Sequence, residues 1–172
     1  MNIRPATIRD SEALARVHVT AWEESYRGLL PDIAFAAMTV PIRTEKFREI
    51  FVQGIPAPYV AELDGRIVGF AQGGKAQGDE SLGQQMQLNA IYLLAEVKRQ
   101  GIGSQLLQAV MADFLSQGAS SASVWTLRDA QPARRCYESH GAQLAAEKLE
   151  QRPGYDRVLV GYIWPDLKTV CA

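Results

Sequence analysis

The chain has 172 residues, 47% apolar and 22% charged, with a formal net charge of −1; this suits one folded domain spanning 1–172, large enough to bury roughly two-thirds of its unfolded surface. The charge argues against a nucleic-acid binder, which needs surplus cations to neutralise phosphates, and no apolar run reaches the ~20 residues of a membrane span. MNIRPA lacks the apolar core of a signal peptide, and Cys136 and Cys171 lack metal-ligand spacing, so the expectation is a cytoplasmic protein with no metal, nucleic-acid or membrane partner.

Ile3 to Ala6 reads as a short first strand. A helix starts near Asp10 or Ser11, both good N-cap residues, and carries Leu14, Val17 and Ala21 on one side. Gly28 and Pro31 break it, and a second helical segment is expected from about Pro31 to Thr39. Pro41 fits the first turn of a third helix bearing Phe47, Ile50 and Phe51. Tyr59 to Leu63 and Arg66 to Gln72 are β-rich runs joined by Asp64-Gly65, a strong hairpin signal. Gly73 to Gly83 is polar and glycine-rich, which predicts a mobile loop. A strand over Gln87 to Leu94 then leads into a helix from about Gly101 to Gln117, with Gly118 as its C-terminal cap. Next come a strand over Ser123 to Leu127 and a helix near Pro132 to His140. Two final strands, near Gln143–Glu150 and Arg157–Trp164, are parted by Arg152-Pro153-Gly154. The order predicts an α/β fold: a mixed sheet with helices on both faces.

The most informative stretch is Lys98-Arg99-Gln100-Gly101-Ile102-Gly103, between the central strand and its helix. The helix is amphipathic, with Ile102, Leu106, Leu107, Val110, Met111, Phe114 and Leu115 on its apolar stripe. A glycine-punctuated turn at a helix N-terminus gathers unpaired amides that can hold a phosphate. Gly101 and Gly103 let a ligand approach the backbone, and Lys98 and Arg99 add charge. A Walker A loop is absent. A dinucleotide fingerprint fails because Leu106 stands where a third glycine belongs, which disfavours a dinucleotide-dependent oxidoreductase.

This segment resembles the Gln/Arg-x-x-Gly-x-Gly/Ala motif of the GNAT family, the Gcn5-related N-acetyltransferases, with lysine in the first slot. Ala122 to Ala142, ASVWTLRDAQPARRCYESHGA, resembles the family's next block, with Ala133, Arg134, Tyr137 and Gly141 in register. The opening, from Ile3 to Asp32, resembles its first strand and paired first helices. The resemblance implies a mostly antiparallel sheet whose parallel fourth and fifth strands splay apart to take the pantetheine arm of acetyl-CoA. It places backbone groups of Ile91, Tyr92 and Leu93 against that arm. It places the amides of Arg99, Gln100, Gly101, Ile102, Gly103 and Ser104 on the pyrophosphate, with Lys98 beside them and Arg134 near the phosphates.

Tyr137 falls where the family keeps the general acid that protonates the departing thiolate, although a tyrosine so placed also suits core packing. Ala130 departs from a cofactor-contacting asparagine, and Gln131 is the polar side chain one place on. Gln87 stands where many relatives have a glutamate base; Glu23, Glu24, His18 and Tyr92 are the substitutes. His18 otherwise reads as an ordinary helix residue, His140 as a helix-end cation favoured by the dipole, and Cys136 as a small core residue. Trp22, Tyr26 and Trp125 lie where the family builds its acceptor site, and with Glu23 and Glu24 they suggest an amphipathic acceptor bearing an amine. The implied activity is acetyl transfer to a primary amine, of a small molecule or a peptide, by direct attack in a ternary complex. The competing reading is a non-catalytic acyl-CoA-binding sensor. Apolar residues on both faces of the last strand, Val158 to Trp164, predict a homodimer.

Overall fold

The computed structural model describes residues 1–171. Its elements are β1 (Asn2–Pro5), α1 (Ser11–Tyr26), α2 (Val40–Val52), β2 (Tyr59–Leu63), β3 (Arg66–Lys75), β4 (Met86–Leu93), α3 (Ile102–Ser116), β5 (Ala122–Leu127), α4 (Gln131–Ser139), β6 (Gln143–Arg152) and β7 (Tyr155–Trp164). The strands form one mixed sheet in the order β1-β2-β3-β4-β5-β7-β6. The β1–β2, β2–β3, β5–β7 and β6–β7 pairs are antiparallel, and β4–β5 is parallel. Contacts divide the chain into two compact units, Met1–Gln72 with Ala90–Ala109, and Gly73–Asn89 with the residues from Val110 onward.

In the first unit, the Arg4 guanidinium reaches Glu62 of β2 at 2.8 Å and Asp10 at 2.9 Å. Asp10 also accepts the Thr7 amide at 2.7 Å and the Thr7 hydroxyl at 3.1 Å, which closes the turn into α1. The Arg4 hydrogen bonds hold the Asp10 carboxyl below the ordinary carboxylate range, at about 2. Leu14, Ala15 and Val17 of α1 pack with Phe47 of α2 and with Val60, Ile67 and Phe70 of the β2–β3 hairpin. Asp64 (φ 50°) and Gly65 (φ 76°) both take left-handed backbone at the hairpin tip, as a two-residue turn matched to strand twist requires. The helix expected over 31–39 is instead one 3-10 turn, Asp32–Phe35. Thr39 has to stay extended (φ −112°, ψ 150°) to open α2, so no length remains for a second helical turn.

His18, on the same face of α1 as Leu14, is partly buried inside an aromatic cage. The rings of Trp22, Phe47, Phe70 and Tyr92 have centroids 4.8 to 6.1 Å from its own. Its Nδ1 is buried without a hydrogen-bond partner. Desolvation, and secondarily the Arg43 cation, lower its pKa to about 4.

In the second unit, β7 is buried on both faces from Leu159 to Tyr162. Tyr162 and Trp164 are fully buried on one. On the other, a Cβ at Gly161 would lie 2.6 Å from Leu82 Cδ1 and 3.1 Å from the Trp125 ring. The chain's own Leu82 and Trp125 therefore lie against this face of β7 at Gly161. Trp164 Nε1 donates to the His140 carbonyl at 3.0 Å, which anchors the end of α4. His140 Nδ1 lies 2.8 Å from the Cys136 carbonyl, so the ring caps the same helix end.

The stretch 73–83 is also more regular than its composition suggests. β3 runs on to Lys75, the Ala76 amide donates to the Gln85 carbonyl at 3.1 Å, and Gly78–Ser81 forms a 3-10 turn. Gly73 marks a close approach inside a strand. A Cβ there would collide with the Phe114 ring and stand 2.6 Å from the Gln87 carbonyl oxygen, whereas one at Gly74 would meet nothing within 4 Å.

These environments set stability in two measurable ways. Gly73→Ala should lose about 1–3 kcal/mol in urea unfolding, because a backbone carbonyl cannot yield as a side chain can. Gly74→Ala should stay within about 0.5 kcal/mol of the parent. His18 is neutral in the folded protein to about pH 4, while the unfolded chain protonates it near 6.5. Below about pH 6.5 the unfolded state thus binds more protons. The stability this group contributes is complete above that pH and falls, by up to about 3 kcal/mol, as pH drops toward 4. His18→Phe should flatten that part of the stability–pH curve.

Candidate functional site

The turn from Lys98 to Ser104 precedes and opens α3. Arg99 (φ 62°) and Gly101 (φ 78°) both take left-handed backbone. For arginine that conformation costs about 1–2 kcal/mol, and such strain concentrates at ligand clamps. The first amide of this region to find a backbone acceptor is that of Gln105, which donates to the Gly101 carbonyl at 3.2 Å. Among the described residues, the amides from Arg99 through Ser104 therefore have no backbone acceptor. Ile102, 2% exposed, anchors the start of α3 in the core. Lys98, Arg99, Gln100 and Gly101 are exposed, and a Cβ at Gly103 would touch Leu93 alone, at 3.5 Å. Gln100 Nε2 donates to the Glu96 carbonyl at 3.1 Å and so braces the turn. Unpaired amides at the positive end of a 15-residue helix, flanked by two cations, fit a diphosphate.

The β4–β5 ladder has three registered pairs, Met86↔Ala122, Gln87↔Ser123 and Leu88↔Val124. Ile91, Tyr92 and Leu93 are partly exposed further along β4. The chain just beyond β4 is well tied: the Leu94 amide donates to the Val68 carbonyl at 3.0 Å, and the Ala95 amide to Glu24 Oε2 at 2.8 Å.

Of the residues weighed for the acceptor, Trp22 and Tyr26 are brought together in the first unit, with ring centroids 4.6 Å apart. The Tyr26 hydroxyl lies 3.5 Å from that of Tyr92, and Trp22 Nε1 is buried with no partner. Glu23 pairs with Arg27 and Glu24 holds the Ala95 amide, so both carboxylates already have structural partners. Beside the aromatic cage is a cavity of about 120 Å³ whose lining includes His18, Arg43, Phe47, Phe70, Gln72 and Ala90. Sequence reading missed Arg43. Its signal was present: it stands one helical turn before the buried Phe47 and so on the apolar face of α2.

In the second unit, Tyr137 is 5% exposed, its ring edge-on to Trp164 at 5.8 Å and 6.2 Å from Tyr162. Arg134, expected near the cofactor phosphates, donates from Nε to the Tyr162 hydroxyl and from Nη1 to the Arg128 carbonyl, both at 2.9 Å. Tyr162 in turn donates to Glu138, so Arg134 works as a clamp between α4 and β7. Trp125 donates to the Glu80 carbonyl at 2.9 Å, with Lys148 Nζ over its ring at 4.3 Å. Ala130 is 5% exposed and precedes α4, while Gln131 is exposed at its start. Gln87 is partly buried in β4, and its ladder neighbour Ser123 has a buried hydroxyl without a partner. Burial raises the pKa of Cys136, which is the wrong direction for a thiolate nucleophile.

A sequence profile of the acetyltransferase (GNAT) family matches residues 16–142. The chain is 31% identical over 172 residues to the uncharacterised N-acetyltransferase YuaI of Bacillus subtilis, covering 99% of this chain and 96% of that protein. PaiA N-acetyltransferase from Thermoplasma acidophilum, solved in complex with coenzyme A, superposes with a TM-score of 0.71 at 21% identity, over 92% of this chain and 96% of that one. The acetyltransferase YncA from Salmonella typhimurium, solved with acetyl-CoA, superposes with a TM-score of 0.72 at 16% identity, over 97% of this chain and 94% of that one. A parallel β4–β5 pair, an amide-lined turn opening the helix after the first of these strands, and these similarities agree: the chain belongs to the GNAT family of N-acetyltransferases.

Proposed function

We propose that this protein acetylates a primary amine, free or on a peptide, with acetyl-CoA as cosubstrate and by direct attack in a ternary complex. The observation that carries the reading is the run of amides from Arg99 through Ser104 without backbone acceptors at the start of α3. Bound acetyl-CoA would supply the activated acetyl thioester. The amides of Arg99 to Ser104 hold the pyrophosphate, with Lys98 and Arg99 adding charge. Backbone groups of Ile91, Tyr92 and Leu93 offer donors and acceptors to an extended amide-bearing arm, since buried backbone groups need partners.

Tyr137 is the proposed proton donor. A phenol is the proton-donor type the departing thiolate calls for, and the Tyr137 ring is held by Trp164 and Tyr162. The amine has to lose a proton before attack, at a cost of about 4–5 kcal/mol at pH 7. His18 is too acidic to take that proton, Glu24 is bonded to the Ala95 amide, and Glu23 is paired with Arg27. The proton therefore goes to solvent, with the Gln87 amide able to orient a water but not to accept the charge. Gln87 and Ala130 favour a second reading, an acyl-CoA sensor without turnover. Free thiol release from acetyl-CoA across an amine panel separates the two: turnover on any amine removes the sensor.

Gly103→Val should fold, because a Cβ there meets only ordinary contact with Leu93. It should nevertheless lose acetyl-CoA affinity in calorimetric titration, since the side chain stands where the phosphate would approach; unchanged affinity would sink the phosphate seat. Tyr137→Phe keeps the packing and deletes the donor. It should lower kcat by about 10²–10⁴-fold with a much smaller change in KM for acetyl-CoA. A tyrosine that only packs predicts kcat and Tm both close to the parent's.

A further inference from the structure

The cavity beside the aromatic cage contains a cation without an anion. Arg43 is partly buried, and no carboxylate among the described residues pairs with it. Its Nε and Nη2 instead point at Met38 Sδ, at 3.0 and 2.8 Å. A thioether is a weak acceptor, and a guanidinium carries five donors in a fork shaped for a carboxylate. Interiors seldom keep a desolvated charge without a counter-charge. Lys46 is already paired with Glu49 at 3.0 Å, so Arg43 is the cation left to meet a ligand.

Besides Arg43 and Lys46, the polar groups on the cavity are Gln72, whose Nε2 donates to the Pro56 carbonyl at 3.3 Å, and His18. Its Nδ1 is sealed and has no partner, so any hydrogen bond the ring makes runs through Nε2. The charged and titratable groups around the ring are Arg43 and Lys46 on α2 and Tyr92 on β4. None is a carboxylate. The remaining walls, Phe47, Ile50, Phe70 and Ala90, are apolar. The volume of about 120 Å³ approaches the ~150 Å³ of cavities that accept benzene.

We propose that this cavity recognises the carboxylate of a small ligand with an apolar body, through the Arg43 guanidinium and Nε2 of His18. The carboxylate would give Arg43 the anion it lacks, and the apolar body would fill the space among Phe47, Ile50 and Phe70. The ligand class stands on the first unit alone. Identifying the occupant with the acceptor rests on the acetyltransferase reading, and the acceptor is then an amino-acid-like amine that also carries a carboxylate.

The test titrates the full chain by calorimetry with benzoate and with its neutral isostere benzamide. Benzoate should bind at least about tenfold more tightly. Arg43→Gln should remove that preference while the protein stays folded by circular dichroism. Proton NMR of His18 should show its pKa rising when benzoate binds, because an anion now favours the charged ring. Equal binding of the two probes, or no saturable benzoate binding at tens of millimolar, overturns the proposal without needing any variant. Saturable binding of inorganic phosphate with benzoate excluded overturns the carboxylate assignment. In a parallel thiol-release assay, amino acids should show lower KM than their amides. Turnover without that preference leaves the acetyltransferase reading standing and removes the carboxylate acceptor. Benzoate binding without turnover on any amine does the opposite.

Discussion

An amide hydrogen with no acceptor is the constraint on which this molecule's function turns. The first amides of any α-helix lack intrahelical partners, and in most helices a capping side chain or a 3-10 turn supplies one. At the start of α3, where the backbone is left-handed at Arg99 and Gly101, the amides from Arg99 to Ser104 make no well-formed backbone hydrogen bond among the described residues. The buried Ile102 side chain and the Gln100 hydrogen bond to the Glu96 carbonyl keep the run in place. A turn built this way is preorganised for an anion, since no internal hydrogen bond has to break before one is made.

Charge in the first unit obeys the opposite rule. Arg4 is matched by Asp10 and Glu62, and that pairing joins β1, the turn into α1, and β2. Arg27 is matched by Glu23 and Asp32. Against that background the sulfur-facing Arg43 and the neutral, caged His18 stand out, because each is desolvated on folding without gaining a strong partner. Polar groups retained in that state concentrate at functional sites, where the missing partner belongs to the ligand.

Much of the fold was legible because local chemistry and tertiary environment agree. Asp64-Gly65 makes the hairpin tip, Pro41 sits in the first turn of α2, and Gly118 comes after α3 with a left-handed φ of 82°. The failures have particular causes. Residues 31–39 read as a helix by composition, but the extended Thr39 that α2 needs truncates them to one turn. The glycines after Gln72 read as a loop, yet Gly73 lies inside β3 because only a residue without a Cβ fits between Phe114 and the Gln87 carbonyl.

The candidate site divides along the same line. The glycine turn, the central strand before it, and the α4 segment with Tyr137 were determined by the sequence alone, because each depends on residues close together in the chain. Which polar atoms remain without partners depended on distant neighbours. Trp125 donates to the Glu80 carbonyl, and Arg134 to the Arg128 carbonyl and the Tyr162 hydroxyl, all partners remote in the sequence or across an element. Arg43 drew no notice until Met38, rather than a carboxylate, proved to be its neighbour. Local order is written in nearest-neighbour sterics and periodicity. Whether a charge or a donor is satisfied is decided only when segments remote in sequence fold against it.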